Sequence, residues 1–439
     1  QTGISMNQQS ISPNQSEDKK FFYGWYIVGA GAISNLFTIG ILAWGLGIFV
    51  EEFRSEFGWS IKAIALGFSI RSFETGLLSP FTGYLIDRIG ARKATILGTS
   101  LMAVGLFLFS QVNSLPSYYL ASATLALGQS VGGLPSFTRA VMNWFQKKRG
   151  QAIGLMNTGN ALGYFAPLVM ASLLAAVGWR ETLFISGLVI LVVGVPLAFV
   201  VRDKPESSEK HATGSPLGSA SLKETNPTLI ALPQKDLDSG MEVREVLRVP
   251  AFYLMLLAAG VEGFSHGPWV TFNIPHMQTS GFSLQAATTI VGIYGLLQVV
   301  LRYGVGVLSD RIGRRRIYIS SYLFQTAGII SFAFLSPENI WLAPIYLITQ
   351  GISHAAMVIG RDSIVADYFG TKRYSTIRGL RQALLLPATF LAPLFMGALF
   401  DIRGNYRLGY IIVAIIGATG SIWLSLIRRP QWESLEREV

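Results

Sequence analysis

The chemistry available to this chain rests on a few titratable side chains that interrupt long apolar segments. Arg302 lies in one such segment, and Glu262 and His266 lie four residues apart in the segment before it. Side chains four apart share one face of a helix. A guanidinium binds a planar carboxylate through two parallel hydrogen bonds, and burial can bring a carboxyl or imidazole group to titrate in the working pH range. The pattern therefore predicts an anion site beside a proton-exchanging group.

Several other chemistries are excluded by the residues that the sequence lacks. It has no cysteine, which excludes disulfides, thiolate metal sites and a cysteine nucleophile. It has no phosphate-binding GxxxxGK[ST] loop, and no HExxH or other metal-ligand spacing relates its four histidines, His211, His266, His276 and His354. We therefore expect no enzymatic activity, no metal, no cofactor and no ATP-driven transport.

The composition is that of a protein that lives in a lipid bilayer. Of the 439 residues, 51% are apolar and only 14% are charged, whereas a soluble domain carries roughly 25% charged residues. The net charge of +10 would suit a nucleic-acid partner in a soluble protein. Cytoplasmic loops of membrane proteins, however, collect lysine and arginine. We expect the bilayer as a partner and no nucleic acid.

Twelve stretches are long enough to cross a membrane as helices, since about 20 mainly apolar residues suffice. The predicted fold class is an all-α membrane protein with twelve transmembrane helices in two pseudo-symmetric six-helix bundles. The predicted spans lie at 25–50, 61–86, 94–113, 117–141, 151–177, 182–201, 251–277, 284–308, 317–336, 340–362, 377–400 and 407–427.

The basic residues between these spans fall on one side. They cluster near residues 19–20, 88–93, 147–149, 311–316, 372–373 and 428–429. The first loop on the other side is acidic, with Glu51, Glu52 and Glu56. This asymmetry predicts a multi-pass protein of the cell membrane with both termini in the cytoplasm. Tryptophans near span ends, Trp44, Trp59 and Trp341, indicate interfacial anchors.

An internal repeat predicts the domain organisation. Residues 83–93 read GYLIDRIGARK, and residues 306–316 read GVLSDRIGRRR, 223 positions later. A second pair of matching segments, which begin at Trp144 and Tyr368, repeats at offsets of 224 to 226. Parallel halves with a substrate site between them near the midplane are a known transporter plan. The predicted parts are a cytoplasmic tail (1–20), a six-helix bundle (21–201), a polar linker (202–248), a second bundle (249–428) and a cytoplasmic tail (429–439).

The repeated segment resembles the signature loop of the major facilitator superfamily, G-x-L-x-D-R-x-G-R-R, and implies the major facilitator fold. A narrower resemblance is to its monocarboxylate transporter and oxalate–formate antiporter branch. It is carried by residues 23–26 (YGWY) and 144–149 (WFQKKR), and by Arg302, which stands where that branch has an arginine that binds substrate carboxylate. Gln298 departs from the aspartate frequent in animal members, so the resemblance implies no proton coupling at that position.

The depth of Arg302 agrees with a substrate role. It precedes Asp310 by eight residues, which places it about 12 Å below the membrane edge at 1.5 Å per residue. The alternative is a structural arginine paired with a carboxylate on a neighbouring helix. Polar residues that would line the same cavity, or form hydrogen bonds between helices instead, are Gln298, Tyr294, His354, Asn157 and Asn35.

Glu262 and His266 are the candidate proton-coupling residues. The alternatives are a buried pair or a Glu262 that permanently neutralises Arg302.

The signature segments and the residues around them predict a gate. Arg361 lies beside the predicted gate positions, which are Gly83, Asp87, Arg88, Arg139, Gly306, Asp310, Arg311 and Asp362. Arg71 and Glu74, three residues apart, predict a local ion pair or an outward gate.

Together these features predict a secondary active transporter that works as a monomer by alternating access. The expected substrate is a small organic anion, a monocarboxylate carried in symport with protons. The alternatives are a carboxylate/carboxylate antiporter, an exporter of an amphipathic drug or lipid, and a non-transporting anion sensor, since a fold does not fix a substrate.

Overall fold

The computed structural model describes residues 22–145, 149–202, 240–370 and 373–428. In these ranges the chain forms two halves of six helical spans each, so the predicted fold class is confirmed. The predicted tails 1–20 and 429–439 and most of the linker lie outside the described residues.

The first half contains spans 1 to 6, several of which are built from more than one helical segment. Their bounds are span 1 (Gly24–Ile39, a π-helical turn at Gly40–Gly45, a 3-10 turn at Leu46–Phe49, and Val50–Phe57), span 2 (Ile61–Leu77, Ser79–Ile89), span 3 (Ala91–Ser110), span 4 (Leu115–Gly132, Leu134–Trp144), span 5 (Arg149–Met156, Thr158–Leu162, a 3-10 turn at Gly163–Phe165, and Ala166–Val177) and span 6 (Trp179–Val200).

The second half begins with a short helix, Val243–Val246, which lies before span 7. Met241 before this helix and Val246 at its end are buried against this half, so the end of the linker packs on the bundle. The bounds of the remaining spans are span 7 (Pro250–Thr279), span 8 (Leu284–Ile312), span 9 (Arg314–Ala333), span 10 (Leu342–Phe369), span 11 (Tyr374–Leu384, Leu386–Arg403) and span 12 (Arg407–Leu426).

Hydrophobicity alone marks eight of the twelve spans within the described residues as long and apolar enough to cross a membrane. The other four are spans 2, 4, 7 and 9, each of which carries polar side chains in its interior, such as Arg71, Gln129, Glu262 and Gln325. Such residues are costly in lipid and mark functional or interhelical contacts. These four spans therefore contribute part of the polar interior of the bundle.

The repeat seen in the sequence is also a repeat of backbone geometry. Span 2 ends at Gly90 and span 8 ends at Gly313, 223 residues later, and both glycines have positive φ (85° and 95°). A side chain is strained in that conformation, so glycine suits this tight turn between helices. The same turn therefore connects the second and third span of each half.

The described residues nearest to both tails and to the start of the linker share one end of the bundle, which we call the terminal end. There Tyr23 donates a hydrogen bond to the carbonyl oxygen of Val200, and Arg315 donates to that of Ile427. The opposite end, which we call the distal end, carries the connections at 58–60 and 404–406. The basic-loop asymmetry predicts that the terminal end is cytoplasmic.

The two halves are closed against each other at the distal end by spans 2 and 11. The Asp401 carboxylate accepts hydrogen bonds from the backbone N–H groups of Ile61 (2.8 Å) and Lys62 (3.0 Å), at the start of span 2. A carboxylate at a helix N-terminus is favoured by both the orphan N–H groups and the helix dipole. Beside it, a Cβ on Gly397 would lie 2.8 Å from the Cα of Lys62. The backbones therefore touch, and Asp401 fastens one half to the other.

Asp401→Asn should loosen this distal closure, because the charge at the helix N-terminus is lost. The buried Ser69, whose hydroxyl donates to the carbonyl oxygen of Phe390, lies beneath the contact. A cysteine at Ser69 in this cysteine-free chain should react with a water-soluble maleimide roughly fivefold faster in the Asp401→Asn background, for a cap worth about 1 kcal/mol.

The matched control is Glu56→Gln. Glu56 is also a distal carboxylate, but its partners Arg180 and Trp179 belong to the same half, so this variant should leave the labelling rate unchanged. Equal labelling in the Asp401→Asn variant and the unmodified chain would contradict the role given to Asp401.

Candidate functional site

The halves meet in mid-bundle at a cluster of two tyrosines and a histidine. The Oη of Tyr294 on span 8 lies 3.0 Å from Nδ1 of His354 on span 10, and the Oη of Tyr164 on span 5 lies 3.5 Å from the same nitrogen. The approach depends on Gly295, where a Cβ would lie 2.4 Å from the Cβ of Tyr164. One imidazole nitrogen is therefore shared by hydroxyl groups from both halves.

Two tryptophans extend this cluster toward spans 1 and 7. Trp269 donates a hydrogen bond from Nε1 to the Oη of Tyr346 (3.1 Å), and the ring of Trp44 lies 4.2 Å from that of Tyr164 and 5.8 Å from that of Trp269. The interpretation of Trp44 as an interfacial anchor is therefore wrong. Span 1 continues to Phe57, so Trp44 lies inside the span, where it is buried.

Arg302 lies beside this cluster on span 8, close enough for its charge to act on Tyr164, Tyr294 and His354. Within the described part of the chain its guanidinium makes no ion pair, and its buried Nε has no hydrogen-bond partner. Gln298, one turn earlier, donates to the carbonyl oxygen of Gly351 (3.1 Å). Arg302 is thus a cation set among hydroxyl and imidazole groups.

Glu262 has a different partner from the one that the sequence offered. Its carboxylate accepts a hydrogen bond from the Tyr318 hydroxyl (2.8 Å) and pairs with Nη1 of Arg361 on span 10 (3.5 Å). Arg381 on span 11 donates to the backbone carbonyl oxygen of Arg361 (3.0 Å). Glu262 therefore neutralises Arg361, not Arg302, and joins spans 7, 9 and 10.

His266 links the two groups. Its ring centroid lies 4.8 Å from that of His354 and 5.3 Å from that of Trp269. The charge of Arg361 acts on both histidines. The polar side chains of Glu262, Arg361, His266, His354 and Arg302 therefore form a series inside the second half whose members contact one another or act on one another through their charges.

The remaining candidates from the sequence lie elsewhere. Asn35 is buried and donates to the carbonyl oxygen of Met156 (3.3 Å), so it joins spans 1 and 5 within one half. Asn157 stands at the break between two segments of span 5. Outside the candidate set, His276 is buried with Nε2 2.9 Å from the carbonyl oxygen of Phe332, so it joins spans 7 and 9. Asn35 and Asn157 both belong to the first half, and their role as substrate contacts stays a prediction.

The predicted gate is described only in part. Arg88 and Arg311 are exposed at the terminal end, and Arg139 is half-buried. A side chain would fit at Gly306, since a Cβ there would lie 3.9 Å from Ile359, an ordinary van der Waals distance. Four further gate calls, together with Glu74, fall outside the described side chains: Gly83, Asp87, Asp310 and Asp362. The gate stays a prediction.

Sequence reasoning missed several members of the site. Tyr164, Tyr318 and Tyr346 carry no charge at neutral pH, and a tyrosine in an apolar span resembles any packing aromatic. Arg361 was interpreted as a gate residue because it precedes Asp362 near the end of span 10. Its distance from Glu262 in sequence, 99 residues, hides the ion pair. No group of three or more histidine, aspartate or glutamate side chains in the described ranges could hold a metal ion.

Comparison with known proteins now places the chain in a family. The model of the Major Facilitator Superfamily matches residues 32–337 and 267–438. The chain belongs to that superfamily.

Human monocarboxylate transporter 2 is 23% identical over 426 residues, which cover 95% of this chain and 87% of the relative. The oxalate:formate antiporter of Oxalobacter formigenes is 27% identical over 380 residues, 84% of this chain and 83% of the relative. The suspected branch of the superfamily is thus the one that these relatives represent.

Solved structures of this superfamily share the fold. A mutant of the nucleoside transporter NupG superposes with a TM-score of 0.71 at 13% identity, covering 92% of this chain and 99% of the other. An inward-facing, occupied bacterial homologue of the human lysosomal transporter Spinster gives a TM-score of 0.63 at 14% identity, covering 97% and 98%. At these identities the likeness concerns the fold alone.

Tyr318→Phe should destabilise this superfamily member by about 1–2 kcal/mol, because it removes a hydrogen bond to a buried carboxylate. Denaturant unfolding of the purified protein measures the loss. In a Glu262→Gln background the loss should shrink, since the charged acceptor is gone. Tyr253→Phe, which affects an exposed hydroxyl bonded to Leu247, is the control and should change little. Equal losses for Tyr318→Phe in both backgrounds would argue against the contact.

Proposed function

We propose that this member of the Major Facilitator Superfamily is a secondary active transporter of a small organic anion, a monocarboxylate, moved with protons by alternating access. The observation that carries the proposal is Arg302, which lies where the halves meet and makes no ion pair within the described residues. A cation inside a membrane protein needs a counter-charge or a function. A substrate carboxylate would supply that counter-charge.

The surroundings of Arg302 suit a carboxylate rather than a cation. Its fork offers two parallel N–H donors, and the hydroxyl groups of Tyr164 and Tyr294 lie nearby to donate to a second oxygen. The printed names of two relatives, a monocarboxylate transporter and an oxalate:formate antiporter, also describe carboxylates. We place the transporter in the cell membrane as a monomer, with its terminal end in the cytoplasm.

Proton coupling is assigned to Glu262 and His266. An anion bound at Arg302 would add negative charge next to His354, whose ring lies 4.8 Å from that of His266. The positive charges of the nearby arginines oppose the addition of a proton to this polar series. The bound anion would offset part of those charges. Uptake of a proton would then accompany binding of the anion. Glu262, held by Arg361 and Tyr318, would be the group that releases or accepts that proton.

Anion exchange is the competing function, and one observation favours it. Glu262 already has a cationic partner in Arg361, and an exchanger can leave this ion pair unchanged throughout its cycle. An exchanger needs only a site that must be occupied before the halves rearrange. The two mechanisms differ in one measurement: a symporter accumulates the anion along a pH gradient, whereas an exchanger requires a second anion on the far side.

Arg302→Lys should lower the affinity for small carboxylates more than tenfold, since it keeps the charge but loses the bidentate fork. Arg302→Ala should abolish binding. A thermal-shift screen of the purified protein identifies the best small acid, because a ligand stabilises the state that it binds. Uptake of that labelled acid into liposomes then measures transport.

Arg316→Ala is the matched control, because it removes an exposed arginine at the terminal end of span 9 and should transport normally. Normal uptake by Arg302→Ala would refute the role of Arg302. Binding without accumulation by the unmodified protein would instead identify a sensor.

Glu262→Gln should still bind and exchange the anion but should no longer accumulate it when a pH gradient is imposed. The neutral amide keeps the shape of the side chain and cannot carry the coupling proton. Glu338→Gln, at an exposed distal position, is the control and should accumulate the anion. Proton-driven accumulation by Glu262→Gln would remove Glu262 from the mechanism and favour exchange.

A further inference from the structure

Two cations at the start of span 3 lack a counter-charge in the described part of the chain. Arg92 and Lys93 are exposed at the terminal end, and neither side chain makes a hydrogen bond or an ion pair within the described ranges. They lie in the first turn of a helix that begins at Ala91 and has no acidic residue in that turn. The dipole of a helix favours anions at this end and disfavours cations. An anion from outside the protein would therefore stabilise both side chains.

The internal repeat provides a comparison for Arg92. The offset of 223 residues joins it to Arg315, at the start of span 9. Arg315 donates from Nη2 to the carbonyl oxygens of Ser425 and Ile427 (both 2.9 Å), at the end of span 12. Arg92 reaches the matching end of span 6 but lies over a ring there, with its guanidinium carbon 5.0 Å from the centre of the Phe199 ring. The donors that the second half uses internally are thus left unused by the described residues of the first.

Other side chains already bind the carbonyl groups at the end of span 6. The hydroxyl of Tyr23 donates to the carbonyl oxygen of Val200 (2.9 Å), and Nε1 of Trp144 donates to that of Arg202 (2.7 Å). In the first half these two aromatic side chains take the part that Arg315 plays in the second. The guanidinium of Arg92 consequently stays at the surface, where it is oriented by the ring beneath it.

An apolar surface extends from these cations along spans 3 and 6. The two spans pack closely, since a Cβ on Gly194 would lie 2.5 Å from Cγ2 of Thr99. Each span carries exposed apolar side chains at spacings of 7, 8 or 11 residues or of 4 and 7, which keep them on one face of a helix. They are Leu97, Val104 and Leu108 on span 3, and Phe184, Val192 and Phe199 on span 6. Lys93 stands four residues before the first of them and so shares its face.

We propose that Arg92 and Lys93 bind the phosphate group of an anionic phospholipid whose acyl chains lie on this apolar surface. A guanidinium fork matches the oxygens of a phosphate, and a lysine adds a compact positive charge. The exposed apolar side chains beside the cations select a lipid over a dissolved phosphate. The predicted cytoplasmic side is also where anionic lipids are abundant. Binding of the lipid needs neither Arg302 nor a transported substrate, so the inference goes beyond the proposed function.

Titration of the purified protein in detergent with dioleoyl phosphatidylglycerol, followed by native mass spectrometry, tests the proposal. The anionic lipid should bind more tightly than dioleoyl phosphatidylcholine, which has the same acyl chains and no net charge. Arg92→Gln should weaken binding of phosphatidylglycerol about fivefold, and Arg92→Gln combined with Lys93→Gln should weaken it about 25-fold, because each basic side chain adds its own attraction to an anionic head group.

Arg315→Gln is the matched control, because it removes the same charge from the same turn of the other half. Its donors are already bound to backbone carbonyl groups, so the affinity for phosphatidylglycerol should stay within about twofold of the unmodified protein. An equal loss of affinity in Arg92→Gln and Arg315→Gln would overturn the site, since the lipid would then respond only to total charge.

Three further results would also overturn the proposal. They are undiminished binding by the double variant at Arg92 and Lys93, equal binding of the two lipids by the unmodified protein, and displacement of phosphatidylglycerol by millimolar inorganic phosphate. The last result would assign the cations to a dissolved anion instead of a lipid. All of these measurements are made without a transported acid, so they are independent of the assay of Arg302.

Discussion

The ion pair between Glu262 and Arg361 determines what the other charges of the second half can do. In a medium of low dielectric constant every charge must find a counter-charge, and Glu262 is committed to Arg361 and Tyr318. Arg302 is consequently left among hydroxyl and imidazole groups rather than next to an acid. Arg302, which makes no ion pair within the described residues, is therefore the position at which we propose that an anionic ligand binds.

Close contact between backbones gives the two halves a defined boundary. Gly47 and Gly397 allow spans 1 and 2 of one half to touch spans 7 and 11 of the other, at positions where a Cβ would lie 2.9 Å from Thr271 and 2.8 Å from Lys62. Small residues permit such approaches between membrane helices. Aromatic side chains also meet across this boundary. A boundary between two packed halves suits the rigid-body rocking used by transporters with repeated halves.

The sequence was a good guide to the fold and a partial one to the site. Hydropathy and the repeated segments at Gly83 and Gly306 were enough to predict twelve spans in two halves, because length and apolar content follow directly from the bilayer. Its depth, together with its match to the family position, made Arg302 a candidate. The partner of Glu262 was not, since which faces of spans 7 and 10 meet depends on packing. Trp44 was misplaced because a π-helical turn and an extra helix lengthen span 1, and neither has a signal in hydropathy.

The imidazole of His354 is a point at which both halves reach one nitrogen atom. When its Nδ1 accepts hydrogen bonds from Tyr294 and Tyr164, one acceptor holds a residue from each half. A proton on that nitrogen would turn it into a donor and force both hydroxyl groups to rotate. Contact between the halves at this point therefore depends on which nitrogen of a single ring carries a hydrogen.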